Sequence, residues 1–120
     1  MCLITDAPIK ITTQDELVYK VVDPTTDPNK FTSYFRGFRY TLGERYDRSS
    51  RLIGRVVPWL HVSLKYEGGY HYFLTLAEAK RNKYSGTIIE CTIPKGTQYV
   101  DDWEKKRGVA NSIIINKVVK

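Results

Sequence analysis

The chain has 120 residues, 42% of them apolar, and carries 19 lysines and arginines against 13 acidic residues, a formal charge of +6. This size suits one domain with an ordinary core, and the composition excludes a disordered polar chain. There are two cysteines, no Cys-x-x-Cys and no apolar run near the ~20 residues of a membrane helix, which argues against a disulfide framework, a zinc or dithiol site and a membrane span.

The opening Met1-Cys2-Leu3-Ile4-Thr5-Asp6 has no basic n-region, so it does not read as a signal peptide, and a reduced, cytoplasmic setting is expected. Leu17–Val22 is rich in β-branched residues and reads as a strand. Asp23–Lys30, with two prolines, reads as a loop. Thr32–Tyr46 alternates aromatic and polar residues and reads as two strands with a turn near Leu42-Gly43. Tyr34, Arg36, Phe38 and Tyr40 then share one face, and Phe35, Arg39 and Thr41 the other. Asp47–Gly54 is a polar loop. Trp59–Tyr66 and Tyr70–Leu74 read as strands joined by a turn at Glu67-Gly68-Gly69. Thr75-Leu76-Ala77-Glu78 is a capping box that opens a helix running to about Tyr84. Gly86–Ile93 is a strand ended by Pro94, and Lys95-Gly96 turns into the strand Thr97–Val100. Asp101–Gly108 reads as a charged loop or one helical turn. Ala110–Val119 is a closing strand, long and apolar enough to be central. The expected fold is α+β, one domain over residues 1–120. It consists of a twisted, mainly antiparallel sheet of about six to eight strands with one principal helix, about 75–84.

Charge is concentrated. Arg36, Arg39, Arg45, Arg48, Arg51 and Arg55 are six of the eight arginines, and they fall within twenty residues. Residues 30–55 hold seven basic side chains against Glu44 and Asp47, a net of +5, which leaves about +1 for the remaining ninety-four. Arginine forks interleaved with aromatic rings suit phosphates and flat bases. The same alternation is also how a strand shows one wet face and one buried face, and arginine suits an exposed sheet edge.

Other candidates are weaker. His61 and His71 could face each other across the Glu67–Gly69 turn, but no carboxylate stands at metal-ligand spacing, so no metal is expected. His71, between Tyr70 and Tyr72, reads first as a hydrogen-bonded structural group. Cys2 would be a nucleophile only if Met1 were removed, and Cys91 reads as buried packing. Asp101, Asp102 and Glu104, followed by Lys105, Lys106 and Arg107, read as a solvated, self-neutralising loop. No phosphate-binding glycine motif and no nucleophile elbow occurs.

Three separated segments carry a resemblance: Met1-Cys2-Leu3; Gly69-Tyr70-His71-Tyr72-Phe73 running into a helix with Ala77 and Ala79; and Ile93-Pro94-Lys95-Gly96-Thr97-Gln98-Tyr99. With Ala110-Asn111-Ser112 ahead of the closing strand, the pattern resembles a family of short uncharacterised proteins of gut bacteria and their phages. Gly69–Phe73 and the Thr-capped helix are also similar to the central tyrosine segment of ADP-ribosyltransferases. The catalytic glutamate of those enzymes would fall on the closing strand, where this chain has Asn111, Ser112 and Asn116 and no carboxylate.

The expected function is non-enzymatic binding of an anionic, nucleotide-like ligand. Arg36, Arg39, Arg45 and Arg48 would hold phosphates, Tyr34, Tyr40, Tyr46 and Tyr72 would stack on a base, and His71 would line the same site. If the chain is phage-encoded, as the resemblance implies, one use is sequestering a host nucleotide signal. The alternatives are nucleic-acid binding through the same basic patch, an ADP-ribosyltransferase-like enzyme centred on Tyr70, His71 and Tyr72, and a structural or virion accessory protein. No cofactor, metal or membrane partner is expected, and the oligomeric state stays open.

Overall fold

The computed structural model describes residues 3–33, 38–57, 60–83 and 86–119, with residues 60–62 described through the backbone alone. The strands in chain order are β1 (Leu3–Thr5), β2 (Lys10–Ile11), β3 (Glu16–Pro24), β4 (Lys30–Ser33), β5 (Arg39–Thr41), β6 (Arg45–Asp47), β7 (Arg55–Val57), β8 (Leu60–Tyr66) and β9 (Tyr70–Phe73). The helix α1 (Leu76–Arg81) follows, and then β10 (Thr87–Ile93), β11 (Gln98–Asp102), β12 (Arg107–Ala110) and β13 (Ser112–Val118). Every pairing among these strands is antiparallel.

The long β-branched segments form the frame. β10 lies between β3 and β13, while β12 pairs with β9 and β9 touches β3 at Tyr19 opposite Phe73. Only Asn111 separates β12 from β13. One length of chain therefore borders both ends of the series β9-β3-β10, and the ladder closes on itself as a small barrel. Period-two alternation sends Val18 and Val22, Ile89, Cys91 and Ile93, and Ile113 and Ile115 into the interior with Tyr70 and Tyr72. The β4–β5 hairpin and β6 bring Phe31, Tyr40 and Tyr46 onto the same core.

Two smaller clusters cover the outer face. Phe73, Ala79 and Ile88 pack with Tyr19, Val21 and Leu76 beneath α1. Leu3, Leu52, Tyr66, Val100 and Val109 seal the three-stranded sheet β1-β8-β7 against β11 and β12. Gly69, at φ +94, makes the β8–β9 turn, and a Cβ there would lie 2.6 Å from Val109 Cγ2.

The expected antiparallel sheet with one helix is present, but its balance is closer to mainly β than to α+β. The helix is shorter than 75–84: Thr75 caps it by accepting the Glu78 amide at 3.2 Å, and Asn82 ends it by donating to Glu78 O at 2.8 Å. Tyr84 and Ser85 lie outside the described residues. The strands outnumber the expected six to eight because β1, β2, β5, β6 and β7 are only two or three residues long. Such pieces carry no readable period and exist through their neighbours. The charged run 101–108 is not a loop; it comprises the end of β11, a turn at 103–106 and the start of β12. Asp102 in this run is drawn in by partners, since it accepts from Thr5 Oγ1 at 2.7 Å and from Lys105 N at 3.0 Å, whereas Glu104 is exposed.

Candidate functional site

The arginine segment is divided by the sheet. Arg36 and Tyr34 lie outside the described residues. Arg39, Arg45, Arg51 and Arg55 are exposed. Arg45 Nε donates to Asp47 at 3.1 Å, an exposed ion pair of small energetic weight. Arg48 is half-buried and structural: its amide donates to Asn111 O at 2.9 Å and its guanidinium to Asn111 Oδ1 at 3.3 Å. The guanidinium lies against Gly68, where a Cβ would sit 2.6 Å from Nη2.

The aromatic half of the segment turns inward. Tyr40 is buried, and its ring meets Phe38 at 5.0 Å, Tyr46 at 5.3 Å and Tyr70 at 6.5 Å between centroids, all tilted or edge-on. The Tyr46 hydroxyl accepts the Thr41 amide at 2.7 Å. These rings pack on the barrel core, Tyr40 buried and Tyr46 half-buried, so Tyr40 has no free face for a base. Phe38, 43% exposed, is the member of the group that most meets solvent.

His71 and Tyr72 point to opposite faces of β9. His71 Nε2 lies 3.1 Å from Tyr66 O, and burial pushes the imidazole down to about 4, so it is neutral at physiological pH. Tyr72 points into the barrel and donates its hydroxyl to Asp101 Oδ1 at 2.6 Å. Their approach requires Gly108: a Cβ there would lie 2.4 Å from Asp101 Oδ1 and 2.5 Å from Tyr72 Cε2. Burial raises the Asp101 carboxyl above its ordinary range, against the hydrogen bond from Tyr72, which lowers it. Beside this pair is a shallow depression lined by Pro8, Lys10, Tyr99, Asp101 and Trp103. Sequence reading missed it because Tyr72 and Asp101 are 29 residues apart and Asp101 looked like part of a solvated run.

A second unforeseen feature is Lys20. It occupies an inward position of β3, opposite Ile89, and is 8% exposed. Its ammonium donates to His71 O and lies 5.3 Å from the centroid of Tyr40. That carbonyl needs a donor because β3 and β9 share a single paired position, so part of this seam has no ladder partner. Burial holds Lys20 down to about 8, and burial likewise pushes the neighbouring Cys91 thiol up to about 12. The alternation Val18, Lys20, Val22 was the available signal, since period two puts the lysine on the apolar face.

Among the described residues no group of three or more His, Cys, Asp or Glu is arranged to hold a metal. Cys2 and the side chain of His61 lie outside the described residues. No helix of the described residues is long and apolar enough to cross a membrane. Comparison with protein-family models, curated proteins and solved structures finds no match to the chain.

Proposed function

We propose that the protein is a non-enzymatic binding protein for an anionic, nucleotide-bearing partner, held by the outward arginines of residues 39–55. The observation that carries this reading is that Arg39, Arg51 and Arg55 are exposed and make no ion pair among the described residues, whereas Arg45 and Arg48 have partners. Three unneutralised guanidinium groups on one segment exceed what a solvated sheet face needs. They favour phosphates, which arginine meets bidentately.

The engagement of Tyr40 and Tyr46 in the barrel favours a polynucleotide backbone over a mononucleotide stacked between rings. Sequestration of a single nucleotide signal is the narrower form of the same reading. ADP-ribosyl transfer is disfavoured, because Ser112–Val118 offers no carboxylate to an oxocarbenium-like centre.

The test is titration with single-stranded DNA, duplex DNA and a nucleotide panel at several salt concentrations. A polynucleotide should bind with a steep salt dependence, and each of Arg39→Ala, Arg51→Ala and Arg55→Ala should reduce the log–log slope by roughly 0.7–0.9. One-to-one binding of a mononucleotide with mild salt dependence would select the narrower form. No binding at low salt would make the segment a solvated sheet face.

A further inference from the structure

We infer that the depression formed by Asp101, Lys10, Tyr99 and Trp103 is a binding site for the vicinal hydroxyls of a sugar ring. The inference is independent of the arginine segment. It rests on how much of the fold is given over to presenting one carboxylate. β9 supplies Tyr72, β11 supplies Asp101 and β12 supplies Gly108 in register with Asp101. The missing Cβ of Gly108 lets the Tyr72 phenol reach Asp101 Oδ1 at 2.6 Å. That bond fixes the carboxylate and leaves Oδ2 without a hydrogen-bond partner among the described residues.

A phenol needs only a neutral acceptor. A partly buried carboxylate is a costly way to provide one, because burial already holds Asp101 above its ordinary range and Glu16 pushes it the same way. A donor arriving at Oδ2 would relieve that cost. Trp103 is 65% exposed on the turn that follows, so a large aromatic surface stands in water at the rim. Lys10, paired with Tyr99 across β2 and β11, also lines the depression and lowers the Asp101 carboxyl by its charge.

These charges choose the ligand. A cation would meet Lys10, and an anion would meet Asp101 and Glu16. A neutral ring with adjacent hydroxyls satisfies both charges. It donates to the carboxylate as a ribose diol does to an acidic side chain, accepts from the lysine, and lays its C–H face on the indole. The site is shallow and open, which suits weak, millimolar recognition. The same diol chemistry is offered by the ribose of a nucleoside and by a free or glycan hexose.

The test is an amide-resolved NMR titration of the full chain with adenosine, 2′,3′-dideoxyadenosine and methyl α-mannoside. Saturable shifts clustered at residues 9–10 and 99–103 are expected with a diol and not with the dideoxy control. Adenosine alone would identify ribose as the source, the mannoside alone a hexose, and both a general diol site; each supports the inference. Asp101→Asn keeps an acceptor for Tyr72, so the fold and melting temperature should hold while affinity falls on the order of tenfold or more. Trp103→Ala, at an exposed position, should abolish the shifts. Arg39→Ala should leave them unchanged, which separates this site from the arginine surface. Absence of saturable shifts with either diol, or equal binding of the dideoxy control, overturns the inference.

Discussion

The barrel interior and the arginine-bearing outer surface are made from the same stretch of chain, residues 38–48, and follow opposite rules. Inside, Tyr40 packs edge-on with both Tyr46 and Tyr70, and Lys20 is held against Tyr40 with its hydrogen bond satisfied by His71 O. Outside, Arg39 and Arg45 are one residue from those rings and stand in water. A buried side chain loses water and must recover its energy from packing and hydrogen bonds. An exposed arginine loses little and gains little. The two regions therefore differ in what holds them: the tyrosines are fixed by packing, while Arg39 stands exposed without an ion pair among the described residues and Arg45 has only an exposed one.

The largest expected effect tests the interior. Tyr40→Ala should cost roughly 3–5 kcal/mol, the range for deleting a buried aromatic side chain. Chemical denaturation checks this, and a loss below about 1 kcal/mol would mean that the ring cluster does not seal the barrel.

Lys20 sharpens the comparison because it is a cation placed by the interior's rules. Its folded value of about 8, against 10.5 for a free lysine, means that the fold binds fewer protons than the unfolded chain between these two pH values. The penalty is thus complete below about pH 8 and fades as pH rises toward 10.5. Lys20→Met should stabilise the protein at neutral pH by on the order of 1–3 kcal/mol, less what the unpartnered His71 carbonyl costs. The wild type should recover about 1 kcal/mol of that difference between about pH 7 and pH 9. Above that range ionisation of the unfolded Cys91 thiol, raised in the fold to about 12, works in the opposite direction. Melting curves of both proteins across this range provide the measurement, and a pH-independent difference would place the ammonium in contact with water.

The smallest effect belongs to the surface. Arg39→Ala and Arg45→Ala should each change stability by no more than about 0.5 kcal/mol, even though the second breaks the ion pair with Asp47. A drop comparable to that of Tyr40→Ala would show that the arginines are structural and would remove them from any binding role.

Much of this could be read from local chemistry. The β-branched runs at Leu17–Val22 and Gly86–Ile93, the glycine turn at 67–69 and the Thr75 cap all follow from interactions within a few residues, and each stands where those interactions put it. The aromatic–arginine alternation of residues 38–46 was legible as two faces. Which face becomes interior was not, because alternation sorts side chains without saying what lies opposite them.

Tertiary structure decided the rest through pairing between distant segments. Asn111 alone links β12 to β13, and this places one chain segment at both ends of the series β9-β3-β10 and closes the expected antiparallel sheet on itself. That closure puts Lys20 inside, directs Tyr40 onto Tyr70, and brings Asp101 within 2.6 Å of a phenol 29 residues away. The sequence determined the strands, the turns and the cap because their energies are local. The interior, the buried lysine and the Asp101 depression arose only when non-local strands met, where burial and hydrogen-bond satisfaction outweigh the preferences of any single segment.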